Sequence, residues 1–332
     1  MDDISNEEPE FIDEYFRKKP KKHGREWKVV DAPYLFAPVA DTHAHLDMLR
    51  NPALALARAG VHNVQFVEAM VDPLGSEGEI TFSDLDGWIQ QAQLYIRQMS
   101  TRICGQGWHS VPRVRISVGV HPHVAKDWCS AARANILTKL CDKRVSAVGE
   151  IGLDYHYDYS PRDVQRSVFA EQVQIANEAH LPVILHVREA FDDAYSIMQE
   201  IGWASAGTLL HCYTSDAQEI VRWVEAGCYV AFGGAFTFKK LDQIRQAAKL
   251  VPSDKLLLET DAPFMTPEPF RGIECEPAHT IWTAERVMEE VIPNSTDVQR
   301  RELLERIFEN STDLLDREPT EWQRGSICTA QL

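Results

Sequence analysis

Eight short apolar runs, each followed by a segment with helical spacing, constrain this chain more than any other feature of its sequence. Near-continuous apolar runs are typical of parallel strands that are covered on both faces. We predict strands at Pro38–Ala44, Asn63–Glu68, Val114–Gly119, Ala147–Glu150, Pro182–His186, Gly207–His211, Tyr229–Gly233 and Lys255–Glu259. Eight strand–helix units predict a TIM-like (β/α)8 barrel over residues 38–316, with the carboxyl ends of its strands at one mouth.

Three segments do not fit the simple repeat. Residues 1–37 are acidic at first and then basic, which predicts a charged N-terminal arm, partly ordered at most, that is either a solvated charge run or a partner-binding element. The connection over residues 71–112 is long and carries its own helix, so it is either a lid over the mouth or a packing element. We predict a final helix over Glu302–Phe308 that closes the bottom or side of the barrel, and a loosely held tail over residues 317–332.

Bulk composition limits the environment and the partners. No apolar run approaches the roughly 18–20 residues of a membrane span, and the acidic N-terminus is unlike a signal peptide. Seven scattered cysteines without a C-x-x-C pair indicate neither a disulfide framework nor a zinc ribbon, so a reducing cytoplasm fits best. The net charge of −16 argues against broad affinity for nucleic acid, although divalent ions at the mouth would still attract a phosphate. No protein partner is predicted.

Histidines and carboxylates recur at the ends of the predicted strands. His43 and His45 are two apart, so they project from the same side of the first strand and can hold one ion, while Asp41 is placed to orient an imidazole as an acceptor behind the ligands. His186 and His211 each end a later strand. A single such histidine is usually a core residue, but a closed barrel brings all these strand ends together. We therefore predict a metal site at the mouth.

Two carboxylates complete this site. Glu150 ends an apolar strand, where an unpaired carboxylate is costly, and its two oxygens can bridge two ions; a salt bridge with Arg188 is the alternative. Asp261 follows the last strand and is predicted to ligate a metal through one oxygen and to act as general base through the other. Histidine ligands suit Zn, Mn, Co or Ni, and carboxylate and phosphate contacts also admit Mg.

Further residues near the mouth are predicted to contact the substrate. His121 and His123 follow the third strand and would hold the substrate or assist the leaving group, or else are ordinary loop histidines. Arg188 and Arg271 could bind a phosphate through two nitrogens each, although Arg271 could equally be a solvent-facing loop residue. The side chain of Cys212 is expected to point away from the site because it alternates with His211.

Seven motifs in order resemble the TatD family of metal-dependent deoxyribonucleases. They are Asp-Thr-His-Ala-His-Leu-Asp (41–47), Gly-Val-His-Pro-His (119–123), Gly-Glu-Ile-Gly-Leu-Asp-Tyr (149–155), His-Val-Arg-Glu-Ala (186–190), His-Cys-Tyr-Thr (211–214), Glu-Thr-Asp-Ala-Pro-Phe (259–264) and Pro-Phe-Arg-Gly (269–272). The resemblance implies a TIM-like barrel, two or three divalent ions with Glu150 shared between them, and hydrolysis of phosphodiesters, often from a 3′ end. The family usually continues after Arg-Gly with a basic residue and an Asn, where this chain has Ile273-Glu-Cys-Glu-Pro.

These observations leave three functional hypotheses. The first is a divalent-metal-dependent hydrolase that cleaves phosphodiester bonds of DNA by metal-activated water. The second is hydrolysis of a cyclic amide or an aminoacyl ester on the same centre, although many amidohydrolase barrels place a modified lysine where this chain has Glu150. The third is a barrel that binds a partner without catalysis, which the complete set of predicted ligands disfavours.

Overall fold

The computed structural model describes residues 8–20, 26–75, 79–100 and 110–325. Its strands are β1 Phe16–Lys18, β2 Lys28–Val30, β3 Val39–Ala44, β4 Val64–Val71, β5 Arg113–Val118, β6 Val145–Asp154, β7 Val183–Arg188, β8 Thr208–Leu210, β9 Tyr229–Phe232 and β10 Leu256–Leu258. Its α-helices are α1 Pro52–Val61, α2 Ile80–Ser100, α3 Ser130–Lys139, α4 Arg162–Ala179, α5 Phe191–Ile201, α6 Ala217–Glu225, α7 Asp242–Ala248, α8 Thr280–Val291, α9 Asp297–Leu315 and α10 Glu321–Arg324.

Strands β3 to β10 form one parallel sheet in which neighbours in sequence are neighbours in space. A parallel bridge between Ala44, the last residue of β3, and Ala262, which follows β10, joins the two edges of the sheet, so the sheet is nearly closed into a barrel. Because this order requires a crossover after each strand, a helix lies on the outside between successive strands. The predicted (β/α)8 barrel is confirmed, and the carboxyl ends of all eight strands share one mouth.

The interior of the barrel is lined largely by apolar side chains. One inward-facing side chain from most strands contributes to a single buried cluster: Ala40, Phe66, Met70, Ala147, Ile184, Leu209, Ala231 and Leu257. Leu314 and Leu315, at the end of α9, complete this cluster and close the bottom of the barrel. The amide of Asn310 donates to the carbonyls of Ser253 and Leu256 at 2.8 and 3.2 Å, which fixes α9 to the start of β10.

Most of the described part of residues 71–112 belongs to α2, the barrel helix that follows β4. Its buried face, which includes Leu85, Ala92 and Ile96, packs against α1 in the outer ring. These side chains therefore supply ordinary barrel packing. Residues 76–78 and 101–109 of this segment lie outside the described residues, so a lid role for them stays a prediction.

Two segments that precede the barrel pack on its outside: the β1–β2 hairpin and residues 11–13. Phe16, in the β1–β2 hairpin, is 5% exposed and packs with its ring 4.5 Å from His62 and 5.7 Å from Phe270. The guanidinium of Arg58 on α1 also donates to the carbonyls of Phe11 and Asp13. The basic residues Lys21 and Lys22 of the predicted arm lie outside the described residues.

The predicted loose tail is held as far as residue 325. The side chain of Arg317 donates to the carbonyl of Ala206, and the buried amide of Gln323 donates to the carbonyls of Leu140 and Val145. Sequence reasoning missed these contacts because each one satisfies a backbone carbonyl far away in the chain. Residues 326–332 lie outside the described residues.

Two further expectations concern the membrane and the cysteines. Among the described residues, no helix combines the length and the apolar character needed to cross a membrane. Cys129, Cys212, Cys228 and Cys275 carry free thiols, whereas Cys141 is disulfide-bonded. The scattered spacing gave no indication of that bond. The cytoplasmic location stays a prediction.

Candidate metal centre

The mouth of the barrel brings four imidazoles from the ends of three strands, β3, β7 and β8, around one carboxylate. Glu150 lies inside β6, because this strand continues four residues beyond its predicted end. Its Oε1 is 3.6 Å from Nε2 of His43 and 3.3 Å from Nε2 of His45. Its Oε2 is 3.1 Å from both Nδ1 of His186 and Nε2 of His211. The two oxygens therefore face two different pairs of histidines, as a carboxylate shared between two ions would.

Asp261 lies beside the first of these pairs. Its Oδ1 is 3.8 Å from Nε2 of His43 and 3.6 Å from Nε2 of His45. Its backbone amide donates to the carbonyl of His43 at 2.9 Å, which fixes the loop after β10 against β3. All six predicted ligands are thus brought together at the mouth.

We predicted that the side chain of Cys212 points away from the centre, but it points toward it. Its Sγ lies 4.0 Å from Oδ2 of Asp261. The strand β8 ends at Leu210, and Cys212 has a positive φ of 44°, so the alternation of a strand no longer applies at this residue. Burial raises the pKa of its thiol well above the usual value.

The carboxylate of Asp41 accepts hydrogen bonds from backbone amides and a hydroxyl at the centre, whereas we predicted that it would orient an imidazole. Its carboxylate accepts hydrogen bonds from the amide of His43 at 3.3 Å, and from the amide and hydroxyl of Thr260 at 2.8 and 2.6 Å. These bonds link β3 to the residue before Asp261. The pKa of Asp41 is nevertheless raised well above its usual value, because burial outweighs the hydrogen bonds.

His121 and His123 both lie at the centre, in different surroundings. Nε2 of His121 is 3.7 Å from Oε2 of Glu150, and His121, Glu150 and His186 form a group with metal-ligand spacing. The ring of His123 instead hydrogen-bonds Oδ2 of Asp154 at 2.9 Å. His121 is therefore a candidate ligand, and its predicted contact with the substrate stays a prediction.

Sequence reasoning missed two carboxylates of the centre. Glu259 is fully buried, with its Oε2 3.7 Å from Nδ1 of His211, and it forms a group with metal-ligand spacing together with His43 and His211. Asp154 accepts hydrogen bonds from the rings of His123 and His186. Asp154 is four residues after Glu150, which places both on one face of a strand, so a strand extended to its true end would have revealed it.

The two predicted substrate arginines lie over aromatic rings. The guanidinium carbon of Arg188, at the end of β7, is 4.8 Å from the ring centroid of Tyr157, so Arg188 does not make the alternative salt bridge with Glu150. That of Arg271, an exposed residue after β10, is 3.6 Å from the ring centroid of Phe238. Neither arginine pairs with a carboxylate of the described residues.

The acidic residues that replace the basic ones near Arg271 pair with arginines of the fold. Glu274 is 3.2 Å from Nε of Arg50, and Glu276 is 2.5 Å from a guanidinium nitrogen of Arg58. Arg58 belongs to α1, which also receives the N-terminal segment. The negative charge of this loop is therefore neutralised within the fold.

Charge at the centre is strongly coupled. Burial alone would raise the pKa of Glu150, but His121 and His43 together with the hydrogen bonds from His186 and His211 hold it well below its usual range. Burial likewise opposes ionisation of Asp261, but His45, His43 and His211 together outweigh it and lower the pKa. The lowered pKa values favour the ionised forms of Glu150 and Asp261, which suit a cation.

The donor set fits divalent cations. Three groups have ligand atoms within 4.8 Å of one another: His43–His211–Glu259, His43–His45–Glu150 and His121–Glu150–His186. The second group shares His43 with the first and Glu150 with the third. Both ring nitrogens of His43 and both oxygens of Glu259 are buried without a hydrogen-bond partner, which is costly unless a ligand satisfies them. Imidazole nitrogen and carboxylate oxygen are suitable ligands for transition metals and Zn.

Known proteins provide an independent comparison. The family model described as TatD-related DNase matches residues 40–316. The chain is 33% identical over 246 residues to the uncharacterized metal-dependent hydrolase YcfH of Escherichia coli K12, which covers 72% of this chain and 83% of that protein. It is 32% identical over 204 residues to a protein of Shigella flexneri named 3′-5′ ssDNA/RNA exonuclease TatD, with 60% and 74% covered.

Solved structures agree on the fold. The TatD homologue YjjV of Escherichia coli superposes with a TM-score of 0.67 at 22% identity, covering 84% of this chain and 98% of that chain. A TatD family hydrolase of Entamoeba histolytica gives 0.68 at 17% identity, covering 86% and 100%. Together with the match of the family model over most of the chain, these findings show that the chain belongs to the TatD-related DNase family, whose members are metal-dependent hydrolases.

Proposed function

We propose that this protein is a divalent-metal-dependent phosphodiesterase that shortens single-stranded nucleic acid, DNA above all, from its 3′ end. The observation that carries this proposal is Glu150, whose two oxygens face separate pairs of histidines with Asp261 beside one pair. Centres with two ions about 3.5–4 Å apart act on phosphate esters by holding both the attacking and the leaving oxygen. The name of the Shigella relative supports the substrate and the direction of cleavage.

The residues divide into ligands and proton carriers. His43, His45, Glu150, His186, His211 and Asp261 are the proposed ligands, for two or three divalent ions, with His121 and Glu259 within reach of the same positions. Bound divalent ions would polarise a phosphoryl oxygen and lower the pKa of a water molecule. Asp261, which is ionised, takes the proton of the attacking water through its carboxylate.

The product side of the reaction needs a proton and positive charge. Nε2 of His123 hydrogen-bonds Asp154 at 2.9 Å, which orients the ring and leaves Nδ1 as the atom that would donate a proton to the leaving oxygen. Arg188 and Arg271 have no carboxylate partner among the described residues, so their guanidinium groups are free to bind phosphate oxygens. We propose the cytoplasm as its location.

One assay tests this function. The protein is stripped of metal, given Zn²⁺, Mn²⁺, Mg²⁺, Co²⁺ or Ni²⁺ one at a time, and offered short single-stranded DNA, RNA, an aminoacyl ester and a cyclic amide. We expect mononucleotides to be released from the 3′ end only after an ion is restored. Asp261→Asn should lower kcat by roughly 10²–10⁴-fold, because it removes a general base.

Asp254→Asn is the matched control, since Asp254 is exposed in the loop before β10 at the bottom of the barrel. This variant should retain full turnover. Hydrolysis of the cyclic amide or the ester without cleavage of either oligonucleotide would contradict the proposed substrate. Near-normal turnover by Asp261→Asn would contradict the proposed base.

A further inference from the structure

Two exposed tyrosines lie in the loop between β6 and α4, beside the metal centre. The rings of Tyr157 and Tyr159 are parallel within 7°, with centroids 5.2 Å apart. Tyr157 is 45% exposed and Tyr159 is 57% exposed. Large aromatic surface left open at the rim of a catalytic mouth is typical of a binding site. We call these two residues the tyrosine pair.

The tyrosine pair is close to the ligands of the proposed ions. The ring of His123 contacts both tyrosines edge to face, with centroids 5.4 Å from Tyr157 and 4.8 Å from Tyr159. The ring of His123 is in turn 4.2 Å from that of His121, whose Nε2 is 3.7 Å from Glu150. Two side chains, His123 and His121, therefore separate the pair from the central carboxylate.

The loop that carries the pair is fixed from below by buried polar groups. Oδ1 of Asp154 accepts hydrogen bonds from the amides of His156 and Tyr157 at 2.9 and 3.0 Å, while its Oδ2 contacts the rings of His123 and His186. One carboxylate thus aligns the loop and the centre together. A surface that is ordered before binding loses less entropy when a ligand arrives.

Charge around the pair favours an anionic ligand. Arg188 lies over the ring of Tyr157 and makes no ion pair with the described residues. Both acids of the same surface already have partners, because Asp158 pairs with Arg162 at 2.8 Å and Glu189 lies 2.7 Å from Nδ1 of His156. The tyrosine pair is therefore an exposed aromatic surface, and the guanidinium group of Arg188 above it makes no ion pair with the described residues.

We propose that the tyrosine pair is a stacking platform for an unpaired base of single-stranded nucleic acid, with Arg188 on the adjoining phosphate. This inference rests on the proposed function and names the part of the substrate that the enzyme recognises beyond the scissile bond. Stacking needs an exposed base face, so the platform selects single strands or frayed ends over intact duplex. It also gives affinity that does not depend on net charge, which suits a chain with a net charge of −16.

The experiment compares two oligonucleotides that differ only in one base. The first is a five-nucleotide single strand with phosphorothioate linkages and 2-aminopurine at its 3′ end, whose fluorescence is quenched on stacking. The second carries an abasic residue at that position, and its Kd is obtained by competition. Both are bound to metal-restored protein.

We expect the double variant Tyr157→Ala/Tyr159→Ala to raise the Kd of the base-bearing strand by roughly 5- to 150-fold, as loss of one or more stacked bases predicts. Quenching of 2-aminopurine should disappear, and the Kd of the abasic strand should change much less. The same variant should raise KM for single-stranded DNA far more than it lowers kcat. Adding salt should weaken binding to the wild type and the variant by similar factors, since stacking carries no charge.

Tyr34→Ala is the matched control. Tyr34 is 67% exposed and has an aromatic neighbour, Phe36, but it precedes β3 and therefore lies toward the bottom of the barrel. It should bind both strands as the wild type does. Circular dichroism of the double variant checks its fold, and Tyr157→Phe/Tyr159→Phe should restore binding because the rings are kept.

The possible failures are distinguishable. Wild-type protein that cleaves single-stranded DNA while the double variant binds both strands normally overturns the platform and leaves the proposed function standing. Equal weakening for the base-bearing and abasic strands also overturns it, because a merely structural or phosphate-binding role would act on both. Wild-type protein that neither cleaves nor binds the oligonucleotides overturns the proposed function and the platform together.

Discussion

Glu150 and Glu68 are two buried glutamates of the same barrel, on β6 and β4, with opposite surroundings. Glu150 is 7% exposed and is surrounded by imidazole nitrogens. Glu68 is fully buried between the inward-facing Phe66 and Met70, and its Oε1 accepts hydrogen bonds from the hydroxyls of Ser117 and Ser146 at 2.6 and 2.7 Å. Histidines can supply positive charge, whereas hydroxyls supply only dipoles.

The pKa values follow from this difference. Burial raises the pKa of Glu68 to about 8, and the two serines reduce that rise without cancelling it. Around Glu150 the imidazoles outweigh burial, and the pKa falls well below the usual value. At neutral pH one glutamate is a neutral part of the packing and the other is an anion that is suited to a cation. Burial alone therefore does not identify a functional carboxylate; the chemistry of its neighbours does.

Replacing each of the two glutamates by glutamine should give the largest difference in activity between the two positions. Glu150→Gln keeps the shape of the side chain but removes the charge shared by the two histidine pairs. We expect kcat to fall by roughly 10³-fold or more, beyond the 10–100-fold typical of residues that only support ligands. Metal content, measured by mass spectrometry after dialysis, should fall as well. Turnover within tenfold of the wild type would mean that Glu150 is not the central ligand.

Glu68→Gln should instead change only stability, and in a pH-dependent way. The carboxyl of Glu68 has a pKa of about 8 in the folded protein and an ordinary value of 4.5. Between these values the folded state holds a proton that the unfolded state has released, so the stability that Glu68 contributes is complete below pH 4.5 and is lost as pH rises to about 8. The wild type should lose up to about 1.4 kcal/mol per pH unit relative to the variant in this window.

Urea unfolding of the metal-stripped proteins at intervals from pH 5 to 9 measures this difference. The other titrating groups are common to both proteins, so they cancel in the comparison. Metal-restored Glu68→Gln should cleave its substrate at the wild-type rate at pH 7. Parallel stability curves for the two proteins would show that Glu68 is ionised in the folded barrel at neutral pH.

The sequence predicted this fold well because the signal is repeated eight times. Apolar strands covered on both faces leave a near-continuous pattern, and a ligand at the end of each one is informative only in combination. His43, His186 and His211 could be assigned to one mouth because the topology of a closed parallel barrel leaves their strand ends no other place. The closure of the barrel could therefore be predicted from local sequence patterns.

Strand ends and loops were harder to predict, for physical reasons. Glu150 resembles a strand end because it is a carboxylate after an apolar run. The strand β6 nevertheless continues to Asp154, whose carboxylate accepts hydrogen bonds from the rings of His123 and His186. The predicted direction of the Cys212 side chain was wrong because its φ is positive, and the residue type does not reveal that conformation. The docking of Phe16 depends on rings from distant parts of the chain, and no periodicity encodes such contacts.

The smallest expected effect concerns the hydroxyls that distinguish the two glutamates. Ser117→Ala removes one of the two hydrogen bonds to Glu68 and should lower the free energy of unfolding by about 1 kcal/mol near pH 5, with no change in turnover. Ser253→Ala, at an exposed position before β10, is the control and should be neutral. Because the hydroxyl of Ser117 favours the ionised carboxylate, its loss should raise the pKa of Glu68 further. The pH at which stability stops falling should therefore move upward in Ser117→Ala. An unchanged plateau would mean that Ser146 alone sets the environment of Glu68, and that the contrast with Glu150 depends on burial more than on hydroxyl dipoles.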